Sequence, residues 1–510
     1  MPSVRQLASV SLFALTASAG GHTWHVDCNS GDVSARDASV FSSLRAVSSH
    51  VFQPGDAILF QRGSVCQGML APKGSGTEAA PIRLGDYGAG PLPRIVAEPG
   101  QPAAFQLKDQ QYWTIENLEF VGGNPHGVHV TGTNGVLHGI HIRDIVVHGV
   151  TGEPKTKEGG LLVIAPGSEH QRFDDVVVDS VIAYATSQWA GILVGGVSYG
   201  FLPEEARSTN VTVRNSIVHD VAGDGIILFQ VNHGTIENSV AWNTGLQKRQ
   251  TIGTPNAIWT WMCRDCTVRR NEAFLTNSPD VDGGAFDIDY GSDNTLLEEN
   301  YGHDTQGYCI GVFGYGWNTT NSVVRNNTCA DNGRRPDLAR QQGAIFLSTT
   351  NHGKLKGLDI SGNRIFWNPP VTSAAIVSKA QFIGSGSFRD NEIYSASPRI
   401  YRVKTGLAME RNPVHPYEHG HAERPRNSAV WTLVVASTHP HIAIVESAHF
   451  QFPRLNIRFI ESSAEPSIAL LDPEGRESWR HAGLPTPAEL GLALRERLGE
   501  PNYAELAPKK

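Results

Sequence analysis

The chain has 510 residues, a length that predicts two or three domains or a solenoid, because ordinary domains hold roughly 100–200 residues. Hydrophobic residues make up 40% and charged residues 18%, which excludes a disordered chain or a coiled coil. The net charge is −8 with no basic stripe, which argues against nucleic acid as a partner. With 53 glycines and 29 prolines, the composition favours many short strands joined by tight turns.

Residues 1–19 have the order of a secretory signal peptide. Arg5 precedes a mostly apolar run over residues 7–15, and Ala17-Ser-Ala19 supplies the small residues of a cleavage site. We therefore expect cleavage after Ala19 and a secreted protein, extracellular or periplasmic. No later stretch reaches the roughly 20 apolar residues of a membrane helix, so we expect no membrane insertion.

The segment that follows predicts a cap and a disulfide. Asp37, ahead of Val40, Phe41, Leu44 and Val47, predicts an N-capped amphipathic helix that closes the first coil of a solenoid. Six cysteines in an oxidising compartment allow many pairings, among which we prefer Cys28 with Cys66. The pair Cys263 and Cys266 is interpreted as part of a structural loop, since no second CxxC is present to complete a zinc site.

A short repeat runs through the middle of the chain: a strand-forming stretch, an Asn or Asp, and another strand. Its anchors recur every 23 to 36 residues, at Asn117, Asp144, Asp179, Asn215, Asn238, Asn271, Asn300, Asn327, Asn363 and Asn391. Asn tolerates a left-handed backbone at a corner, and its amide can pair with the Asn of the neighbouring coil. The repeat predicts an all-β solenoid, a right-handed parallel β-helix over residues 20–405.

Downstream of the anchors lies a second set of predicted strands with apolar second positions. These nine strands begin at Gly127, Gly160, Gly191, Gly225, Ala257, Ala285, Cys309, Ala344 and Ala375. Because side chains alternate along a strand, the third and fifth positions face outward. The outward positions include Leu162 and Ile164, then Trp259 and Trp261, then Asp287 and Asp289.

Two segments resemble secreted pectin-lyase-like β-helix proteins. Residues 24–95 resemble the opening of such proteins through Trp24-His-Val-Asp27, Ser43-Leu-Arg-Ala-Val47 and Gly85-Asp-Tyr-Gly-Ala-Gly-Pro91, and residues 285–304 resemble a coil of their carbohydrate-active members. The resemblance covers about residues 24–400 and implies the same fold. It does not choose a reaction, because this fold hosts lyases, hydrolases, epimerases and non-catalytic binders.

A sugar site is predicted where outward tryptophans and aspartates meet. Coils are about 4.8 Å apart, so exposed Trp259 and Trp261 would lie beside exposed Asp287 and Asp289. Aromatic faces stack on sugar rings, and a carboxylate pair can divide into a protonated acid and an ionised partner. Long loops at 244–256 and 276–284 would wall the cleft.

Further residues are assigned around this centre. Asn256, Tyr290 and Phe313 join the substrate-binding set. His303 and Asp304, in the next coil, are candidates for an additional acid or base. Asp282 is a candidate Ca²⁺ ligand.

The preferred function is a secreted glycoside hydrolase that acts on a polysaccharide or oligosaccharide. The alternative enzyme is a polysaccharide lyase, in which Asp282, Asp287 and Asp289 hold Ca²⁺ against a uronate and a basic residue takes the C5 proton. Lys379 lies three coils from the pair, which is too far for that base. The other candidates for the base are the loop residues Arg249, Arg334 and Arg340. A non-catalytic glycan-binding β-helix protein is the alternative outside the enzymes.

The chain changes character after about residue 405. Residues 406–427 are rich in Pro and His without periodicity and predict a linker. Residues 428–510 predict a small α/β domain with strands near 431–435, 455–460 and 465–471 and a helix near 488–498. The order resembles a thioredoxin-like fold. It lacks the redox CxxC, since Ser437-Thr-His-Pro440 stands there, so we expect a docking or stabilising role.

Overall fold

The computed structural model describes residues 21–29, 39–196, 198, 200–249 and 252–417, and further on 431–437, 448, 452, 455–461, 467–483, 485 and 487–498. The predicted signal peptide lies outside the described residues. Up to residue 417 the chain winds into a column of coils whose strands form three long parallel sheets.

Sheet 1 contains 15 strands. In spatial order they are β2 (Val40–Phe41), β1 (Thr23–Val26), β3 (Ala57–Gln61), β5 (Ile82–Tyr87), β8 (Trp113–Glu116), β11 (Gly135–Arg143), β14 (Gln171–Asp179), β17 (Ser208–Arg214), β20 (Val231–Glu237), β23 (Thr267–Arg269), β26 (Leu296–Glu298), β30 (Val323–Arg325), β34 (Asp359–Ser361), β38 (Gly386–Arg389) and β41 (Leu407–Glu410). A minor sheet beside it holds β29 (Thr319–Thr320), β33 (Leu355–Lys356) and β37 (Phe382–Ile383).

Sheet 2 contains 11 strands and carries the candidate site. They are β7 (Phe105–Lys108), β10 (His126–Thr131), β13 (Gly160–Ile164), β16 (Ala190–Gly195), β19 (Ile226–Phe229), β22 (Ile258–Trp261), β25 (Phe286–Ile288), β28 (Ile310–Tyr315), β32 (Ile345–Thr350), β36 (Ile376–Ser378) and β40 (Tyr401–Val403). All nine strands predicted from the second positions are present here and adjacent, which confirms that part of the sequence analysis.

Sheet 3 contains 13 strands. They are β4 (Val65–Gln67), β6 (Arg94–Val96), β9 (Glu119–Val121), β12 (Val146–His148), β15 (Ile182–Thr186), β18 (Ile217–Val221), β21 (Val240–Trp242), β24 (Glu272–Phe274), β27 (Tyr301–His303), β31 (Thr328–Ala330), β35 (Arg364–Trp367), β39 (Glu392–Ser395) and β42 (Val414–Pro416). Because β41 and β42 continue sheets 1 and 3, the column reaches beyond residue 405, and the predicted start of the linker at 406 is wrong.

The core of the column is a stack of alternating inward side chains. Ile140, Val176 and Val211 are aligned partners in neighbouring coils of sheet 1, and all are buried. The prediction for β13 has the wrong phase: Val163 aligns with outward His129, whereas Leu162 and Ile164 lie in the core. All five residues of β13 are buried, so the apolar pattern alone does not distinguish its two faces.

The sequence predicts two roles for the Asn at each corner, a left-handed backbone and an amide that pairs with the next coil. In the structure, two consecutive residues can fill these roles separately. In the earlier coils the anchors Asn117, Asp144, Asn215 and Asn238 take the left-handed conformation, with φ of 51–55°. In the later coils the preceding residue takes it, as at Arg270 and Glu299, and the anchor Asn instead forms a buried ladder. The ladder contains Asn271, Asn300, Asn327, Asn363, Asn391 and Asn412.

Asn327 shows how one ladder position ties three coils together. Its backbone N–H and its Nδ2 both donate to Oδ1 of Asn363, each at 2.9 Å. Its own Oδ1 accepts from the backbone N–H and Nδ2 of Asn300, again at 2.9 Å. The ladder therefore satisfies buried backbone groups at a corner where strand pairing is interrupted.

The N-terminal cap is shorter than the sequence predicts. The helix α1 spans Leu44–Ser49, and Oγ of Ser43 caps it by accepting from the N–H of Ala46 at 3.3 Å. Val40 and Phe41 form a strand rather than the start of the helix, and Asp37 lies outside the described residues. Buried Leu44 and Val47 join the core, so α1 covers the apolar interior near the first coils.

Two disulfides lie in the column. Cys28 is bonded to Cys66, as preferred from the sequence, and Cys309 is bonded to Cys329. Cys263 and Cys266 are buried free thiols, and Sγ of Cys266 donates to the carbonyl of Val231.

The C-terminal part is a small α/β unit. Its mixed sheet has the order β44 (Asn456–Glu461), β43 (Thr432–Ser437), β45 (Ser467–Leu471), β46 (Glu477–Ala482). The helix α3 (Pro487–Leu498) packs Leu490 and Leu494 into a separate core with Leu433, Val435 and Ile468. In the described part of the column, α1 is joined by the helix α2 (Pro336–Gln342) and a 3₁₀ turn (Glu204–Ala206).

A buried ion pair joins this unit to the column. Arg495 of α3 lies 3.3 Å from Oε1 of Glu272 on β24, and its guanidinium lies 4.5 Å from the ring centre of Tyr301. Glu272 also accepts from His303. The contact therefore lies on sheet 3 rather than on the outer face of sheet 2.

We expect Asn327→Ala to lower the free energy of unfolding by about 2–4 kcal/mol, because several buried backbone and amide groups lose their partners at once. Urea unfolding at equilibrium measures this change. Asn326→Gly is the matched control, since Asn326 is exposed and its φ of 56° suits glycine. Equal stability of Asn327→Ala and the control would contradict a stabilising role of the ladder.

Candidate functional site

The candidate site is a group of carboxylates on the outer face of sheet 2. Asp287 is on β25, and its partner in the neighbouring strand is Trp259, as the sequence predicts. The pairing of Thr260 with Ile288 continues this register and sets Trp261 beside Asp289. Asp282, in the loop before β25, and Asp224, just before β19, act electrostatically on Asp287.

These carboxylates differ in how far solvent reaches them. Asp224 is fully buried and Asp287 is 2% exposed, whereas Asp282 and Asp289 are half-buried. Solvent therefore reaches Asp282 and Asp289 but hardly reaches Asp224 and Asp287. Both residues of the predicted pair face outward, but the prediction that Asp287 is exposed is wrong, because it is buried where Asn256 donates to it.

Asn256 connects the buried members of the group. Its N–H donates to Oδ1 of Asp224 at 2.8 Å, and its Nδ2 donates to Oδ2 of Asp287 at 3.1 Å. Its Oδ1 accepts from the hydroxyl of Tyr308 and from the N–H of Gly284, both at 2.9 Å. Asn256 is 2% exposed and every polar atom of its amide is engaged, so it lies beneath the surface beside Asp287. Its contact with a substrate stays a prediction.

Burial raises the pKa of every carboxyl in the group. Burial first, and then the neighbouring charge of Asp289, hold the pKa of Asp287 well above its usual value. Burial raises the pKa of Asp289 to about 7 and that of Asp224 to about 6. Burial also raises the pKa of Asp282, while the hydroxyl of Thr254 opposes this shift by donating to Oδ2.

Lys157 brings a positive charge to this group from the loop 149–159. Its Nζ lies 4.7 Å from the ring centre of Trp259 and 5.2 Å from that of Trp189. Its charge lowers the pKa of all four carboxyls, against the larger effect of their burial. A Cβ at Gly253 would lie 2.7 Å from Cε of Lys157, so glycine at this position lets the two residues pack closely.

The tryptophans predicted as an exposed platform are buried. Trp259 is 3% and Trp261 is 7% exposed, and both belong to an apolar cluster with Trp189 and Phe229. Lys157 covers Trp259, while Phe201 lies 5.6 Å from the ring centre of Trp261. The sequence predicts the outward direction of these rings correctly. It does not predict that Lys157 and Phe201, from neighbouring loops, lie over them.

The remaining predicted residues fall into two sets. Tyr290 and Phe313 are half-buried and flank Asp289: Tyr290 donates its N–H to Oδ1 of Asp289 at 2.8 Å, and the register of β25 with β28 sets Phe313 in the neighbouring coil. His303 and Asp304 are elsewhere. His303 ends β27 of sheet 3, between Glu272 and Asp304, so it pairs with them and not with the sheet 2 carboxylates.

Among the described residues, no three His, Cys, Asp or Glu side chains are arranged to hold a metal ion. The predicted Ca²⁺ set of Asp282, Asp287 and Asp289 is therefore not brought together as ligands. Asp282 instead accepts from Thr254 and is half-buried.

Sequence reasoning missed Asp224, Lys157 and Tyr308. Asp224 and Asn256 occupy equivalent positions just before β19 and β22, where the N–H of Gly225 donates to the carbonyl of Asn256, so their alignment was an available signal. Lys157 gave no signal, because its loop has no periodic pattern. Tyr308 precedes the predicted strand at Cys309 and lies against Gly284, where a Cβ would come 2.0 Å from its ring.

Comparison with known proteins supports the right-handed fold. Residues 190–412 match the family described as "Right handed beta helix region". Two crystal structures of the GH136 lacto-N-biosidase from Eubacterium ramulus, a selenomethionine derivative and the native protein, have TM-scores of 0.54 and 0.53. Each is 21% identical to this chain, and each match covers 78% of this chain and 68% of that chain.

Pectate lyase Pel9A is 16% identical, with a TM-score of 0.38 and coverage of 66% of this chain and 79% of that chain. At these identities the likeness concerns the fold, and the lower TM-score supports no further comparison. No curated protein matches the chain. Within its described part, none of the helices has the length and apolar character that crossing a membrane requires.

We expect the stability of the protein to fall between about pH 4 and pH 7, in part because of Asp289. The unfolded chain loses this proton near pH 4, whereas the folded state, with a pKa of about 7, retains it, so rising pH favours unfolding across that window. Asp289→Asn should match the wild type near pH 4 and be the more stable protein near pH 7.

Thermal melts across this range test the effect. Asp280→Asn, in the exposed part of the neighbouring loop, serves as the control and should follow the wild type. If the stability of Asp289→Asn falls with pH as steeply as that of the wild type, then Asp289 ionises as freely in the folded state as in the unfolded chain.

Proposed function

We propose that the protein is a glycoside hydrolase that cleaves a neutral oligosaccharide or polysaccharide in the cleft over sheet 2. The observation that carries this proposal is the set of four carboxyls with raised pKa values beside a single described lysine. Such a set holds one carboxyl protonated and another ionised at the same pH, as glycosidic bond cleavage requires.

Exposure selects the reacting pair within this set. A substrate can reach half-buried Asp282 and Asp289, and their charges act on one another, so we assign the acid and the ionised carboxylate to these two. The pair expected from the sequence is Asp287 and Asp289. The proposed pair retains Asp289, and Asp282 takes the place of Asp287. Asp287 accepts from Asn256, and its pKa is raised by burial and by the charge of Asp289, so we assign it a positioning role.

The same charges favour hydrolysis over uronate cleavage. A lyase neutralises the carboxylate of its uronate substrate, commonly with Ca²⁺ or arginine. Here a uronate would approach four carboxyls with Lys157 as their shared cation. Two of the three loop arginines considered as the base are engaged elsewhere: Arg334 donates to Asp304 at 2.9 Å and Arg249 to Glu153 at 3.3 Å.

The fold comparison supports the same class. A protein named as a lacto-N-biosidase has a similar β-helix, so this architecture is compatible with glycoside hydrolysis. The signal-peptide pattern of residues 1–19 and the two disulfides support a secreted location.

For the C-terminal unit we infer a thioredoxin-like fold with a stabilising role. In its sheet β43 and β44 are parallel, whereas β45 is antiparallel to β43 and β46 to β45, an arrangement that supports this fold. The Arg495–Glu272 contact on sheet 3 supports attachment to the column away from the carboxylates.

A panel of neutral and uronate oligosaccharides tests the reaction. We expect new reducing ends from at least one neutral substrate, without the ultraviolet absorbance of unsaturated uronates. Absorbance from a uronate substrate would identify a lyase, and binding without any product would identify a glycan-binding protein.

We expect Asp289→Asn and Asp282→Asn each to lower kcat by about 10²–10⁴-fold on a substrate identified in the panel, because each removes a proton-transfer or charged group from the transition state. Asp287→Asn should retain more activity and shift the acid and base limits of the pH–rate profile. Asp280→Asn should be close to wild type.

Chemical rescue then assigns the two roles. The variant that lacks the acid should retain most turnover on an aryl glycoside with a good leaving group, and added azide should restore turnover of the other variant. Full activity of both Asp282→Asn and Asp289→Asn would exclude this pair.

A further inference from the structure

Exposed aromatic side chains are concentrated at one edge of the candidate site. In the described part of the chain, four Phe, Trp or Tyr residues are exposed: Phe201 at 49%, Tyr315 at 48%, Trp317 at 45% and Tyr401 at 40%. The first three lie together at this edge, whereas Tyr401 is on β40, the last strand at one end of sheet 2. Such a cluster on a secreted protein requires a physical reason, because exposed apolar patches are costly.

The cluster is continuous with the carboxylates. Tyr290 follows Asp289 in sequence, and its ring centre is 5.7 Å from Trp261 and 5.6 Å from Tyr315. Phe201 continues the contacts, at 5.6 Å from Trp261 and 4.9 Å from Trp317. We call these five residues the aromatic row.

Hydrogen bonds to the backbone hold the segments of the aromatic row in place. Nε2 of buried Gln230 donates to the carbonyls of Gly196 and Gly200, both at 2.8 Å, and its Oε1 accepts from the N–H of Leu202 at 2.6 Å. These bonds fix both sides of Phe201. The turn that carries Trp317 is fixed where the N–H of Lys354 donates to Oδ1 of Asn318 at 2.9 Å.

We propose that Phe201, Tyr315 and Trp317 form a second sugar-binding subsite, which stacks on a neutral pyranose one or more units away from the cleaved bond. This proposal rests on the proposed function and specifies its substrate as an oligosaccharide longer than a disaccharide. An aromatic face suits the apolar C–H face of a sugar ring, and fixed rings lose little entropy on binding.

Substrates of different length provide the test. On a tetrasaccharide of a sugar that the enzyme hydrolyses, Trp317→Ala should raise KM by about 3–10-fold with kcat unchanged, the loss expected for one stacking contact. On an aryl monoglycoside or a disaccharide of the same sugar, KM should stay within about twofold. Trp317→Phe should restore most of the affinity.

Tyr401→Ala is the matched control, because it removes an equally exposed ring at a distance from the row. It should leave KM unchanged for all lengths. Unchanged thermal melts of both variants show that each remains folded, and Phe201→Ala provides a second variant should Trp317→Ala unfold.

Calorimetric titration of Asp289→Asn, with and without Trp317→Ala, separates the subsite from the reaction. The probes are neutral β-linked tetrasaccharides of glucose, galactose and N-acetylglucosamine, and of galactose alternating with N-acetylglucosamine.

Tetrasaccharide binding that depends on Trp317 without hydrolysis by the wild type supports the subsite and overturns the proposed function. Hydrolysis with no effect of Trp317→Ala or Phe201→Ala at any length overturns the subsite alone. Absence of both binding and hydrolysis overturns both.

Discussion

Every feature of the site depends on the fixed register with which each coil stacks on the next. Parallel pairing aligns Trp259 with Asp287 and Asp287 with Gly311, and a slip of one residue would turn the carboxylate into the core. The corners enforce this register through a left-handed residue and, in the later coils, through the buried ladder that includes Asn300 and Asn327. The chemistry on the outer face is thus positioned by backbone and amide hydrogen bonds within the column.

The sequence predicted the column well because its signals are local and repeated. Apolar second positions identified all nine inner strands of sheet 2, and recurrent Asn identified the corners. The wrong phase of β13 came from a strand that is buried on both faces, where alternation disappears. The sequence also did not predict which corner residue takes the left-handed conformation. Arg270 and Glu299 take it, although neither is a residue type that favours it.

The site was predicted less completely, because its features come from loops. The outward direction of Asp287 follows from strand period, but its burial beside Asn256 does not, since Asn256 precedes β22 and lies in a loop. His303 was placed with the carboxylates by proximity in sequence, although a coil turns through three sheets and sets it on another face. Burial is also what raises the carboxyl pKa values, so the electrostatic character of the site was likewise hidden in the loops.

The corner loops have a consequence for how such a protein can change over evolutionary time. Lys157, Phe201 and Asp282 all lie in segments between strands, whereas the register is set by the strands and the ladder. Insertions or deletions in those segments would remodel the cleft and leave the paired backbone intact. A column of this kind can therefore exchange the loops beside its outer face at little risk to its own folding.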